Sequence, residues 1–168
     1  MSSNLTLIGM PGSGKSTVGK RVADLVGWDF LDLDARIEAE QGKKLSQINA
    51  EGGHAKLQLL EDAAARSITC SRTVIGPGGS IVYLDDAMRH LQSLGPIVFL
   101  DVPIDVLIPR CGDMQARGVV VREGDTLADL LGERLPKLLR WADVRIFCGH
   151  RTADDVAHQI AGTLQLQR

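Results

Sequence analysis

Apolar positions along the chain fall into two rhythms that alternate. Short uninterrupted or alternating runs at Leu5-Thr6-Leu7-Ile8, Thr73-Val74-Ile75, Ile97-Val98-Phe99-Leu100 and Val144-Arg145-Ile146-Phe147 predict strands, and Asp29-Phe30-Leu31-Asp32 adds a fifth. Between them the period lengthens to that of a helix. Val18, Val22, Leu25 and Val26 lie at i, i+4, i+7 and i+8, and Leu57, Leu60, Ala64 and Ile68 mark a helix over Leu57 to Thr69. Further helices are predicted from Ala35 to Gln41, stopping near Gly42, and from Asp85 to Ser93, stopping at Gly95-Pro96. A last one carries Val156, Ile160 and Leu164 behind a capping box at Thr152-Ala153-Asp154-Asp155. Strands alternating with helices imply a parallel sheet covered by helices, an α/β fold.

Composition narrows this picture. With 168 residues, 44% of them hydrophobic, the chain suffices for a single domain over 1–168 with one core, and no repeat, low-complexity tract or linker divides it. A net charge of −2 with dispersed basic residues argues against nucleic acid or an anionic membrane as partner. Cys70, Cys111 and Cys148 are odd in number and lack CxxC spacing, so neither a disulfide framework nor a zinc site is expected. No apolar run has the length of a membrane span and no basic-then-apolar leader precedes the first strand, which makes a cytoplasmic location the expectation.

The chemistry starts directly after the first strand. Gly9-Met10-Pro11-Gly12-Ser13-Gly14-Lys15-Ser16-Thr17 has the GxxxxGK[ST] spacing of a phosphate-binding loop, set between a strand and a helix as that loop requires. Its glycines let successive N–H groups turn inward around a β-phosphate, where side chains would block the approach. Lys15 can reach the β- and γ-phosphates, the Ser16 hydroxyl can sit on Mg²⁺, and the helix N-terminus faces the anion. Gly12, Ser13, Gly14, Lys15, Ser16 and Thr17 are therefore the candidate nucleotide-binding residues. A second unusual stretch, Asp113 to Asp125, gathers Arg117, Gly118, Arg122, Glu123 and Gly124 around three valines. It reads equally as a mobile cover over the phosphates, a lid at about residues 112–125, or as an ordinary surface excursion.

A guanine-reading Asn-Lys-x-Asp is absent, and motor or transporter ATPases are larger than this chain. A compact kinase passing phosphate from ATP to a small acceptor remains. At this point the sequence resembles the shikimate kinase family, over nearly its whole length. Phe30-Leu31-Asp32-Leu33-Asp34-Ala35-Arg36-Ile37-Glu38 is similar to the family's FxDxDxxIE segment. The resemblance implies a P-loop NTPase three-layer sandwich with a central five-stranded parallel sheet and a lid segment. It implies that Asp34 binds the acceptor hydroxyls and helps deprotonate the attacking one, and that Asp32 orders the Mg²⁺ shell with Ser16. Gly78 and Gly79 stand where the family's Gly-Gly-Gly turn offers backbone amides to the acceptor, with Ser80 in place of the third glycine. Arg134 in Arg134-Leu135-Pro136 stands where the family's arginine binds the acceptor's carboxylate. Arg117 takes the place of the lid arginine, a catalytic role beside Lys15 and Asp34, and Arg110 and Arg151 are expected near adenine.

One departure is chemical. Where the family carries Gly-Glu-x-x-Phe-Arg, with the arginine clamping shikimate, this chain reads Gly53-His54-Ala55-Lys56-Leu57-Gln58. Gln58 brings no charge and no bidentate fork, and a charge-assisted bond contributes roughly 1.5–3 kcal/mol, so a carboxylate acceptor should bind about ten- to a hundred-fold more weakly. Lys56 points about 160° away on an ordinary helix, and His54 and Lys56 are expected as surface residues. The reading is an ATP- and Mg²⁺-dependent kinase, a monomer, acting on a small hydroxylated acceptor with Asp34, Gln58, Gly78, Gly79 and Arg134 around it. Shikimate, converted to shikimate 3-phosphate, leads; a less acidic cyclitol or sugar, or a catalytically weak nucleotide-binding module, are the alternatives.

Overall fold

The computed structural model describes residues 4–112, 119 and 124–166. In chain order they form β1 (Asn4–Ile8), α1 (Lys15–Val26), β2 (Asp29–Asp32), α2 (Leu33–Gln41), α3 (Leu45–Arg66), β3 (Thr73–Gly76), a 3₁₀ turn (Gly79–Tyr83), α4 (Asp85–Leu94), β4 (Ile97–Asp101), α5 (Ile104–Cys111), α6 (Leu127–Trp141), β5 (Val144–Phe147) and α7 (Ala153–Thr163). The sheet has the order β2-β3-β1-β4-β5, and every pairing is parallel. This is the five-stranded α/β architecture that the alternating rhythms predict.

Strand position explains strand composition. Central β1 is buried along its whole length and β4 over all but its last residue, whereas edge strands β2 and β5 are only partly covered and carry charged residues. Helices pack in two groups. On one side α1 packs on α7 and over β2 and β3; on the other α3 packs on α4, α4 on β1, and α6 on β4. The Thr152 capping box forms, with Asp155 N–H donating to Thr152 Oγ1 at 3.1 Å.

α3 is longer than the periodicity suggests. Lys44 and Gln47 start it at a capping box, and only Leu45 and Ile48 are buried in its first turns, too few to show as an apolar stripe. At Gly53 the backbone takes φ 68° and ψ −177°, a left-handed conformation that favours glycine, so the helix is kinked into two arms.

All five strands run the same way, so their C-terminal ends meet at one edge, where ligands of open α/β sheets bind. Among the described residues, no helix is long and apolar enough to cross a membrane. The proposed lid at 112–125 falls mostly outside the described residues.

Candidate active site

The loop after β1 turns through two left-handed glycines, Gly12 at φ 77° and Gly14 at φ 91°. Gly14 is also the N-cap of α1, so the helix's first N–H groups open onto the loop's hollow. Lys15 lies across this hollow and donates from Nζ to the carbonyls of Gly9 and Met10, 3.0 Å each. Burial lowers its pKa to about 8, a shift that nearby Asp34 partly opposes. A polyphosphate here would add anionic partners to the two carbonyls that Lys15 already holds.

Asp32 closes β2 and has two tasks at once. Its Oδ1 accepts the Ala35 N–H at 3.1 Å as the N-cap of α2, and its Oδ2 accepts the Ser16 hydroxyl at 3.1 Å. The capping tie aims the carboxylate at Ser16, across the mouth of the loop. No cluster of three or more His, Cys, Asp or Glu suited to a metal occurs among the described residues. The Ser16–Asp32 pair, two hard oxygen donors beside a phosphate cradle, fits Mg²⁺, which keeps several waters and takes few protein ligands.

Asp34, in the first turn of α2, faces a cleft of about 460 Å³ lined also by Lys15, Ser16, Asp32, Leu57, Glu61, Gly78, Gly79, Ser80 and Arg134. Burial raises the Asp34 pKa to about 6, against the opposing pull of Lys15. Arg134, from α6, is buried to 2% exposure and lies 5.6 Å from the centre of the Tyr83 ring. The two glycines are present because there is no room for more. A Cβ on Gly78 would lie 2.7 Å from Asp34 Oδ1 and 3.1 Å from Glu61 Oε1, and one on Gly79 would lie 2.6 Å from Arg134 Nη1.

A second hollow of about 370 Å³ adjoins the loop on its other side, lined by Gly12, Ser13, Gly14, Thr17, Arg110 and Arg151 among others. Arg151 is held there by its bonds to the Phe147 carbonyl at 3.5 Å, the Asp155 carbonyl at 3.1 Å and the Gln159 side chain. Cys148 shares this hollow, but burial pushes its thiol up to about 11, leaving it unreactive.

Not every expected residue lies in these two spaces. Gln58 is half-buried on the flank of α3 and does not line the cleft; Leu57 and Glu61, on the inward stripe, do. Lys56 is exposed and 3.8 Å from Glu51, as a surface residue should be. His54 is half-exposed and does not line the cleft; burial followed by the proximity of Arg134 lowers its pKa. Arg117 lies outside the described residues. Glu61 is the residue that sequence reasoning missed, although a carboxylate four positions after Leu57 and three before Ala64, on an otherwise apolar stripe, is itself a signal.

A phosphate cradle that opens directly onto a cleft with a poised carboxylate meets the needs of phosphoryl transfer to an alcohol, and this protein is an ATP-dependent phosphotransferase of that class, a P-loop kinase. A family model described as shikimate kinase matches residues 11–165. The chain is 31% identical over 163 residues to the shikimate kinase of Persephonella marina, covering 96% of this chain and 99% of that one. It is 37% identical over 147 residues to that of Gloeobacter violaceus, covering 85% and 82%. Among solved structures, a shikimate kinase from Acinetobacter baumannii in complex with shikimate superposes with a TM-score of 0.91 at 28% identity, over 97% of this chain and 93% of that one. The chain belongs to the shikimate kinase family.

Proposed function

We propose that the protein transfers the γ-phosphoryl group of ATP to a hydroxyl of shikimate, giving shikimate 3-phosphate. The observation that carries this is the convergence of Lys15, Asp34, Gly78, Gly79 and Arg134, from four separate elements, on one cleft beside the phosphate loop. Arg134 takes the acceptor's carboxylate, and the backbone at Gly78 and Gly79 lets the ring approach. Asp34 orients the hydroxyl and accepts its proton; a pKa near 6 keeps it ionised at neutral pH yet close enough to receive one. Lys15 and the loop N–H groups hold the phosphates in line with that hydroxyl, so positioning and charge neutralisation supply most of the rate. Ser16 and Asp32 are the residues that would hold Mg²⁺, which would supply charge neutralisation at the phosphates. Arg110 and Arg151 border the hollow that takes the base.

ADP release with ATP and Mg²⁺ tests the reading, with shikimate compared to uncharged cyclitols and sugars. Release that depends on shikimate is expected. Turnover of a neutral polyol alone, or ATP hydrolysis that no acceptor stimulates, overturns it.

A further inference from the structure

The acceptor end of the cleft holds a buried acid, Glu61, and a half-buried one, Asp34, beside one arginine. Glu61 is 3% exposed; its Oε1 accepts the Ser80 hydroxyl at 2.5 Å, and its Oε2 is buried without a hydrogen-bond partner. Asp34 Oδ1 is buried without a partner as well, and both carboxylates approach Gly78. The charged groups facing Glu61 are Asp34 from α2 and Arg134 from α6. His54 and Tyr83 border Arg134, and Lys15 borders both Asp34 and Arg134 while turned to the loop carbonyls. An acceptor carboxylate entering this space is a third anion. The crowding is relieved when one of the two acids is neutral, and Asp34 must remain ionised to receive the hydroxyl's proton. Glu61 has a spare buried oxygen on which to hold a proton.

We propose that Glu61, held by Ser80, is a positioning and specificity-determining residue that takes up a proton when a carboxylate-bearing acceptor binds, leaving Arg134 to the acceptor. This rests on the shikimate reading above. The proton comes from solvent, forms an O–H bond at Glu61 Oε2 on binding, and returns to solvent when the product leaves; no other bond changes. Burial, the dominant influence on this side chain, already raises its pKa to about 7 in the empty cleft, while the Ser80 bond opposes that rise. The consequence is a site that favours a carboxylate acceptor below neutral pH and loses it above.

Calorimetric titration of the protein with shikimate, in two buffers of different ionisation enthalpy at pH 7.5, reads the proton directly. Uptake of most of one proton per site is expected. In parallel, KM for shikimate should rise by up to about tenfold per pH unit above pH 7, with KM for ATP as internal reference. E61Q should show no uptake and a flat KM profile. S80G, which keeps the acid and removes the bond favouring its charged form, should move the rise to higher pH. H54Q should keep the unmodified profile. No proton uptake by the unmodified protein, or an unchanged profile in E61Q, overturns the inference. Shikimate turned over with a pH-independent KM removes this inference alone, whereas shikimate neither bound nor phosphorylated at any pH removes the functional reading and the inference together.

Discussion

The two halves of the active site are made in opposite ways. The phosphate half is one stretch of chain, Gly9 to Thr17, and its ligating groups are mostly backbone N–H groups whose direction is set by two left-handed glycines and a helix N-terminus. The acceptor half is assembled from side chains of α2, α3, α6 and the 3₁₀ turn, and it places Glu61 and Arg134 out of water beside a half-buried Asp34. Backbone recognition tolerates little variation, because its geometry and its chemistry are the same thing. Side-chain recognition can be rebuilt piece by piece: here Gln58, Ser80 and Glu61 depart from or add to the arrangement that the family resemblance implies, while the loop does not.

Substitutions that strike one half and spare the other make this contrast quantitative. Asp34→Asn should lower kcat by about 10²–10⁴ through loss of the base, with affinity for a fluorescent ATP analogue changed less than about twofold. A parallel loss of nucleotide affinity would mean that the halves are not separable. Lys15→Ala should lower kcat/KM by about 10²–10³ in steady-state ADP assays, and it should do so equally with every acceptor tried. Gly79→Ala pushes a methyl group against Arg134 Nη1, and KM for shikimate should rise about tenfold with KM for ATP unmoved. An unaltered KM would show that the buried guanidinium can withdraw. The smallest effect is expected for Gln58→Arg. Gln58 does not line the cleft, so KM for shikimate should change by less than about threefold; a tenfold fall would show that a longer cationic arm reaches the acceptor from the flank of α3.

The same contrast explains what could be read from the sequence. The strands, the phosphate loop and the Asp32–Asp34 pair were legible because each is encoded by neighbours in the chain: an apolar run, a glycine spacing, two acids at a strand end. Asp32 serves both as the helix cap of α2 and as the partner of Ser16. The first arm of α3 was hidden by its polar composition, and its kink depends on a single glycine conformation at Gly53. Glu61 was missed because its significance depends on Ser80 and Arg134, remote in sequence. The influence of Arg134 on His54 could not be read locally, because the two residues, on α6 and α3, are brought near each other only by the fold.

The strand order has a consequence for how the protein is made. β1 lies in the middle of the sheet, yet its neighbours arrive late: Asn4 pairs with Thr73 and Thr6 with Ile97. Until β3 has been synthesised β1 has no partner, and until β4 follows it is paired on one edge only, so the loop after it lacks one of its walls. Nucleotide affinity should therefore appear abruptly in nascent chains, only once β4 has left the ribosome. Before that point the apolar β1 segment is the stretch most in need of a chaperone.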